Sequence, residues 1–249
     1  MKNLGIQGLN YKSTDIDTSG EKYFMTTVAR FYASNKNKII IFDVGANIGN
    51  YAKALLQSFK ENFHIYSFEP FSTPFKQLAL IKNERLTLVN KGLSDKKEEL
   101  LIHTSDEYSE IGGVYDRTYA FSDIPHDKTE KCQFITIDDF CVENSLPKIN
   151  FLKIDVEGHE LAVLQGAKKT IENGNIDFIQ FEYGSGNIFS KTSFMDFHAF
   201  LNEKYAIYRL LKDGIIEIEA YSTDYEMFIL TNFICIKKDL AQRYKELNM

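Results

Sequence analysis

The sequence predicts an α/β fold in which a mostly parallel sheet of seven strands has helices on both faces. Three observations support this prediction. Short apolar runs alternate with helix-like segments along most of the chain, as in parallel strands joined by crossover helices. The first apolar run, residues 39–42, leads directly into a glycine turn and a helix. Late in the chain, Asp213-Gly214 follows a strand-like run, which predicts an antiparallel hairpin at one edge of the sheet.

The elements can be assigned in order along the chain. A helix at residues 21–34 belongs to an N-terminal helical segment, residues 1–37, and precedes the first strand. The other predicted strands cover residues 63–68, 86–90, 150–156, 176–183, 206–211 and 228–237. The later helices cover residues 51–59, 75–81, 160–172 and 194–204, with Gly174 as a C-cap of the third. We expect a single domain over residues 1–249, because the length suits one domain and no Gly/Ser-rich linker appears.

Residues 98–140 do not fit this alternation. Strand-like runs at 100–103 and 133–137 flank a polar stretch that is rich in charge, Tyr and Gly. Insertions of this kind carry substrate contacts, because the rigid sheet positions them. We therefore predict a substrate-side insertion, with Tyr115 and Arg117 as candidate substrate contacts. A solvated surface loop is the plainer alternative.

Residues 43–49, Asp-Val-Gly-Ala-Asn-Ile-Gly, form the glycine turn. The two glycines let a ligand approach the backbone closely, and the first helical N–H groups would point at that ligand. A dinucleotide site would carry the pattern G-x-G-x-x-G, but Asn47 and Asn50 stand where its second and third glycines belong. S-adenosylmethionine fits better, because its ammonium would meet Asp43 and its carboxylate would meet backbone donors. An ordinary tight turn is the alternative.

The second predicted strand ends at Glu69-Pro70. A carboxylate at this place in the fold can accept hydrogen bonds from both hydroxyls of a ribose. Pro70 stops the strand and fixes the direction in which the chain leaves it. The pair therefore predicts a ribose contact at Glu69, although a solvated strand end is the simpler reading of the pair alone.

Several motifs occur in the order in which one protein family carries them: residues 43–49, 67–70, 90–95, 151–160, 164–167 and 231–238. Over residues 38–238 the chain resembles the FkbM family of S-adenosylmethionine-dependent methyltransferases. The resemblance implies a class I methyltransferase (Rossmann-like) fold and O-methylation, often of sugar or polyketide hydroxyls. Its cofactor contacts would be Asp43, Gly45, Ala46, Asn47, Gly49, Asn50, Glu69, Pro70, Leu93, Ser94 and Asp155.

The fourth predicted strand supplies the candidate catalytic residues. Lys153, Asp155 and Glu157 share one face of it, which is unusual for a buried strand but suits the ligand end of the sheet. By resemblance, Asp155 lies beside the methionine part of the cofactor. His159 is the candidate general base because its pKa normally lies near neutrality, with Asp155 and Glu157 as alternatives. Glu182 ends the next strand and would either bind a substrate hydroxyl or pair with a cation. An ion pair with Lys153 is the structural alternative for this group.

A catalytic metal is not expected. Asp138-Asp139 is the one tempting carboxylate pair, but a helix cap explains it better. The three cysteines are scattered and favour reduced thiols over a disulfide framework.

Composition limits the partners. The net charge of −6 argues against a protein that grips nucleic acid through its phosphates. The Asn/Asp-Pro-Pro-aromatic motif of base methylation is missing from the sequence as well. No apolar run reaches the ~20 residues of a membrane span, and residues 1–6 lack a signal-peptide core. We therefore expect a cytoplasmic protein whose oligomeric state is open, a homodimer included.

These observations predict an S-adenosylmethionine-dependent O-methyltransferase that acts on a hydroxyl of a saccharide or similar small polar acceptor, such as a surface-polysaccharide precursor. Two alternatives remain. One is an NAD-dependent oxidoreductase on the same architecture, which the glycine spacing disfavours. The other is a non-catalytic S-adenosyl-binding module, in which transfer activity has been lost.

Overall fold

The computed structural model describes residues 15–104, 112–116 and 128–247. The strands of this part of the chain are β1 (Ile39–Val44), β2 (Phe63–Phe68), β3 (Leu86–Val89), β4 (Gly92–Leu93), β5 (Glu98–Thr104), β6 (Lys128–Ile135), β7 (Ile149–Ile154), β8 (Ile176–Tyr183), β9 (Tyr205–Leu211), β10 (Gly214–Ile218) and β11 (Thr231–Lys237). The α-helices are α1 (Glu21–Phe31), α2 (Asn50–Ser58), α3 (Ser72–Leu78), α4 (Ile137–Glu143), α5 (Glu160–Gln165), α6 (Lys168–Glu172), α7 (Gly186–Ser190), α8 (Phe194–Leu201) and α9 (Lys238–Glu246).

The main sheet has eight strands in the spatial order β10-β9-β11-β8-β7-β1-β2-β3. Five neighbouring strands of this sheet run parallel to one another: β8, β7, β1, β2 and β3. Strand β11 enters between β8 and β9 and is antiparallel to both. The predicted mostly parallel sheet with an antiparallel hairpin at one edge is therefore confirmed.

The strand count differs from the prediction by one. Strand β10 was not predicted, and it forms the edge hairpin with β9, whereas β11 lies inside the sheet. The hairpin loop is Lys212-Asp213, since Leu211 pairs with Gly214. Only Ile218 of β10 is buried, so this short edge strand lacks the apolar signal of the central ones.

The sheet separates two apolar cores. In β1, Ile40 and Phe42 belong to one core, while Ile39 and Ile41 belong to the other, as the two-residue period of a strand requires. Helices α1, α2 and α9 cover the Ile39 face, and α4, α5, α6 and α8 cover the Ile40 face. Burial on both faces explains why the central strands read as continuous apolar runs.

The insertion contributes a second sheet of three strands in the order β4-β6-β5. Strands β5 and β6 are antiparallel, and β4 lies parallel to β6. The predicted runs at 100–103 and 133–137 thus mark real strands, β5 and β6. Gly113 forms an isolated antiparallel bridge with His103, which ties residues 112–116 to β5.

Tertiary contacts decide where one predicted helix breaks. The helix expected at residues 160–172 is two helices, α5 and α6, separated at Gly166. A Cβ on Gly166 would lie 2.0 Å from the carbonyl oxygen of Ser94, so the backbones meet there. The Asp138 carboxylate accepts hydrogen bonds from the N–H groups of Lys169 and Thr170 at 2.9 Å each, and so starts α6. Asp138 therefore caps a helix, as predicted, but the helix is α6, which lies about 30 residues later in the sequence, and not α4, which contains Asp138.

Smaller differences concern helix ends and the cysteines. Helix α3 begins three residues earlier than the range predicted at 75–81. Gly174 has φ +68 just after α6, as expected of a helix C-terminus. Cys132, Cys141 and Cys235 are free and buried. Among the described residues, no helix combines the length and the hydropathy that crossing a membrane requires.

Candidate active site

A cavity of about 770 Å³, open mouth included, lies at the carboxyl ends of β1, β2 and β7 and beside β4. Open α/β sheets bind their ligands at this end. The polar residues of its wall include Gly45, Asn47, Glu69, Asp155, Glu157 and His159. The apolar residues include Phe71, Pro74, Leu93, Ile102, Val114 and Phe134. We call this space the central cavity.

The glycine turn forms one side of the central cavity. Gly45, Asn47 and Gly49 all have positive φ, which lets the chain reverse between β1 and α2. Its amides are donors to other protein groups: those of Gly45 and Ala46 both donate to the Phe68 carbonyl at 3.0 Å. At Gly45 and Ala46 the turn therefore offers a ligand a close backbone surface, while the expected donation from the first helical N–H groups stays a prediction.

Glu69 lies at the end of β2 with 7% of its surface exposed, and it lines the central cavity. One carboxylate oxygen accepts from the Asn47 N–H and the other from the Phe71 N–H, both at 2.9 Å. Burial raises the pKa of Glu69 to about 7, although the two N–H donors oppose this. The carboxylate is thus fixed in direction and is basic for a glutamate.

Asp43 lies behind the turn rather than in the wall. Its side chain is fully buried, and it accepts a hydrogen bond of 3.2 Å from the Ser67 hydroxyl. The ammonium of Lys153 lies 3.7 Å from its other oxygen. Burial raises the pKa of Asp43, and the Lys153 charge opposes this. A direct contact between Asp43 and a ligand ammonium stays a prediction, because protein groups surround this carboxylate.

Three carboxylates converge beside the central cavity, two of them in its wall. Oxygens of Asp155, Glu157 and Glu182 all lie within 4.8 Å of one another, and we call this group the acidic rim. Burial raises the pKa of Glu182 well above its usual range, and the nearby Asp155 and Glu157 charges raise it further. Such spacing would also suit a divalent cation, so the expectation that the chain needs no metal stays a prediction.

The loop after β7 is held by Glu160, the first residue of α5. One oxygen of its carboxylate accepts from the N–H groups of Val156 and Gly158, each at 3.0 Å. Glu160 has 1% of its surface exposed, and burial raises its pKa to about 7. Glu157 sits within this loop in the left-handed region at φ +57, and its carboxylate lies near those of Asp155 and Glu182.

His159 connects the cavity wall to the insertion. Its Nε2 lies 3.0 Å from the Ser94 hydroxyl, and its Nδ1 lies 3.1 Å from the phenol oxygen of Tyr115. Burial lowers the pKa of His159 to about 4, although the charges of Asp95 and Glu98 oppose this. The imidazole is therefore neutral at physiological pH, and each ring nitrogen already faces a hydroxyl.

The predicted site residues fall into three groups. Those in the wall of the central cavity are Gly45, Asn47, Glu69, Pro70, Leu93, Asp155, Glu157 and His159. Those near the wall but outside its lining are Asp43, Ala46, Gly49, Asn50, Ser94, Tyr115 and Glu182. Arg117 lies outside the described residues. The roles assigned to all of them remain predictions.

The sequence prediction missed the apolar side of the central cavity. Phe71, Ile102, Val114 and Phe134 come from four separate segments, and only the folded insertion brings them together. One signal was available, since Phe71 directly follows the Glu69-Pro70 pair. The other three read as ordinary core or loop residues.

A comparison with known protein families identifies the family to which the chain belongs. The model of the methyltransferase FkbM domain matches residues 43–210, about two thirds of the chain. The chain belongs to the FkbM methyltransferase family. The match begins at Asp43 of the glycine turn and includes the Glu69 strand end, the acidic rim and His159. The family suggested by the sequence motifs is therefore confirmed.

Two curated proteins are similar to part of the chain. The chain is 29% identical over 153 residues to the hexuronic acid methyltransferase AglP of Haloferax volcanii, covering 58% of this chain and 56% of that protein. It is 25% identical over 163 residues to the 2-O-methyltransferase NoeI of Sinorhizobium fredii, covering 60% of this chain and 65% of that protein. The chain thus spans less than two thirds of either relative.

A solved structure supports the fold. The FkbM methyltransferase of Methylobacillus flagellatus KT aligns with 80% of this chain and 43% of its own length, at 17% identity and a TM-score of 0.50. This similarity concerns the α/β architecture with its mostly parallel sheet. The class I methyltransferase fold predicted for this FkbM family member is therefore confirmed.

Proposed function

We propose that the protein is an S-adenosylmethionine-dependent O-methyltransferase whose acceptor is a hydroxyl of a saccharide or similar small polar molecule. One observation carries the proposal: a single cavity joins the glycine turn and a buried Glu69 to the acidic rim. The first two suit a nucleoside cofactor, and the rim suits a hydroxylated acceptor. Family membership supports the reaction type, and the names of the two curated relatives support a hydroxyl of a sugar.

The residues of the central cavity fit the cofactor. The Glu69 carboxylate is held by two backbone donors and keeps free lone pairs for the two hydroxyls of a ribose. The apolar side formed by Phe71, Ile102 and Val114 suits a flat purine ring. Gly45 lines the cavity, and the lack of a side chain lets its backbone lie against the Asp155 carbonyl. Asp155 would then face the sulfonium, where its negative charge is favourable.

Methyl transfer needs alignment more than bond polarisation. When bound, S-adenosylmethionine would supply an electrophilic methyl group, which passes in line to the acceptor oxygen as the C–S bond breaks and S-adenosylhomocysteine leaves. The protein contributes by holding the hydroxyl on that line and by accepting its proton. Asp155 and Glu157 of the rim can do both, since ionised carboxylates accept hydrogen bonds from adjacent hydroxyls. Asp155, Glu157 and His159 are the candidate bases, and Glu182 and Tyr115 the candidate acceptor contacts.

The charge of the rim bears on the acceptor. Asp155 and Glu157 would repel a further carboxylate, so we expect neutral or amino sugars to be better acceptors than a hexuronic acid. The buried free thiols Cys132, Cys141 and Cys235 fit a reducing compartment, in agreement with a cytoplasmic enzyme.

The proposal is tested first by titration calorimetry with S-adenosylmethionine, S-adenosylhomocysteine and NAD. We expect both S-adenosyl compounds to bind and NAD to give no heat. Labelled methyl transfer to a panel of neutral, amino and uronic sugars then identifies the acceptor class. Binding of NAD alone would replace the proposal with a dehydrogenase. Binding of the S-adenosyl compounds without transfer to any acceptor would indicate a non-catalytic module.

Glu69 makes cofactor binding depend on pH. Ribose hydroxyls donate to the ionised carboxylate, so a ligand that requires this form binds more weakly as pH falls below the pKa of about 7. We expect the Kd of S-adenosylhomocysteine to be about tenfold larger at pH 6 than at pH 8, because each unit below the pKa costs about a factor of ten. Calorimetry at both pH values measures this directly.

The matched control is Glu69→Gln, which keeps the shape of the side chain but removes its titration. We expect this variant to bind about 10- to 100-fold more weakly at pH 8, the effect of losing a charge-assisted hydrogen bond of about 1.5–3 kcal/mol. Its affinity should be nearly the same at both pH values. A pH dependence that persists in Glu69→Gln would assign the titration to another group and contradict the ribose contact.

A further inference from the structure

Lys153 is a buried cation in the centre of the main sheet. It is the fifth residue of β7 and has only 4% of its surface exposed. Its ammonium lies 5.0 Å from the ring centre of Tyr51 on α2, so an aromatic face covers it on one side. A lysine in this position costs desolvation energy that an apolar residue would avoid. Its presence therefore needs a reason beyond packing.

The Lys153 ammonium joins two separate parts of the central cavity. On one side it lies 3.7 Å from Asp43 and 3.5 Å from the Gly45 carbonyl, both of which belong to the glycine turn. On the other side it lies 3.3 Å from the carboxylate of Asp155, which belongs to the acidic rim. The two parts also touch directly, because the Asp155 N–H donates to the Val44 carbonyl at 3.0 Å.

The charge of Lys153 is stable in this setting. Burial lowers its pKa, but the charges of Asp155, Asp43 and Glu21 raise it by more, so the pKa lies above its ordinary value. Tyr51 and Gln180 complete the polar surroundings on the other side: the Tyr51 hydroxyl donates to the Gln180 side chain at 3.0 Å. The ammonium is thus a permanent, enclosed link and not an exchanging surface ion pair.

We infer that Lys153 is a positioning residue that fixes the glycine turn and Asp155 relative to each other, and so sets the geometry in which the cofactor binds. The inference rests on the proposed function, since it concerns the same cavity. Lys153 is not in the lining of the central cavity and acts only through Gly45, Asp43 and Asp155. Its ammonium separates two carboxylates that would otherwise repel, and only one of them faces the ligand.

Substitution by methionine tests this role. Lys153→Met keeps the length of the side chain and removes the charge, so the turn and Asp155 lose their common partner. We expect the Kd of S-adenosylhomocysteine, measured by calorimetry, to rise about tenfold or more. Because Asp43 is then buried without a cation, the variant should also melt at a lower temperature. If it does not fold, the same comparison is made in an Asp43→Asn background, where that carboxylate charge is gone.

Lys148→Met is the matched control. Lys148 lies 2.7 Å from the buried Asp177, at the opposite end of β7 from the cavity. Its loss removes one of two cations beside a buried carboxylate, since Lys237 lies 3.7 Å from the other oxygen of Asp177. We therefore expect a lower melting temperature with an unchanged Kd. A purely structural Lys153 would behave in the same way as Lys148. An unchanged Kd in folded Lys153→Met, or in Lys153→Met/Asp43→Asn compared with Asp43→Asn, would overturn the inference.

A second comparison separates the route through Asp155 from a general loosening. If Lys153 acts partly through Asp155, Lys153→Met should weaken binding less in an Asp155→Asn background than in the wild type. Equal effects in the two backgrounds would limit the role of Lys153 to the glycine turn and overturn the link to Asp155. Failure of the proposed function looks different, because the wild-type protein itself would then not bind S-adenosylhomocysteine.

Discussion

Replacing Gly45 with alanine is expected to remove cofactor binding and to destabilise the protein by more than about 4 kcal/mol, a size reserved for severe defects. Gly45 has φ +77, and a Cβ at this position would lie 1.8 Å from the carbonyl oxygen of Asp155. It would also lie 3.2 Å from a methyl group of Val156. Neither backbone can retreat easily, because the Asp155 N–H is bonded to the Val44 carbonyl at 3.0 Å. The strain would therefore separate β1 from β7 at the cavity.

Chemical denaturation and calorimetry measure the two effects separately. Gly214→Ala is the matched control, because a Cβ on Gly214 would have no atom within 4 Å. We expect that variant to unfold like the wild type and to bind S-adenosylhomocysteine with the same Kd. A Gly45→Ala protein that retains wild-type stability and affinity would contradict the close approach of the glycine turn to Asp155.

The side of the cavity that we propose for the cofactor was readable from the sequence because each of its signals is local. Asp43 to Gly49 and Glu69-Pro70 follow strands whose ends the apolar runs define. Since parallel strands end at one edge of the sheet, their terminal residues had to meet. The structure places Glu69 against the Asn47 N–H at 2.9 Å, which joins the two motifs. What the sequence could not reveal is that the turn donors at Gly45 and Ala46 are used internally.

The side of the cavity that we propose for the acceptor depends on contacts between distant segments. The neighbours of His159 are Ser94, 65 residues earlier, and Tyr115, 44 residues earlier. No periodicity within the chain predicts such pairs, and the burial that lowers the pKa of His159 follows from them. The break between α5 and α6 has the same origin, because the carbonyl of Ser94 approaches Gly166. Tertiary packing thus interrupts at Gly166 a helix that the sequence predicts to be continuous from residue 160 to residue 172.

Removing a rim carboxylate is expected to slow methyl transfer far more than removing the imidazole. For Asp155→Asn we expect kcat to fall about 10²- to 10⁴-fold, the usual contribution of a general base. For His159→Gln we expect a loss of less than about tenfold, because the amide can replace the hydrogen bonds to Ser94 and Tyr115. Single-turnover rates with the acceptor found in the sugar panel measure both, and Glu157→Gln serves as the comparison within the rim.

The physical reason lies in which groups can accept a proton. With its pKa lowered to about 4 by burial, His159 is already neutral over pH 5–8 and is a weak base. The carboxylate of Asp155 faces the cavity with 36% of its side chain exposed, so an acceptor hydroxyl can reach it. A buried neutral histidine also predicts that the free energy of unfolding decreases as the pH is lowered from about 6.5 to 4. Over that range the imidazole binds a proton in the unfolded chain but stays neutral in the folded one.

The pH profile of kcat distinguishes the two bases. If His159 accepted the proton with an ordinary pKa, activity would fall below about pH 6.5, and His159→Gln would abolish that limb. With the neutral, buried imidazole of this structure, the profile should keep the same acid limb in wild type and His159→Gln. A loss of 10²-fold or more in His159→Gln, together with a small effect of Asp155→Asn, would reverse the assignment and make His159 the base.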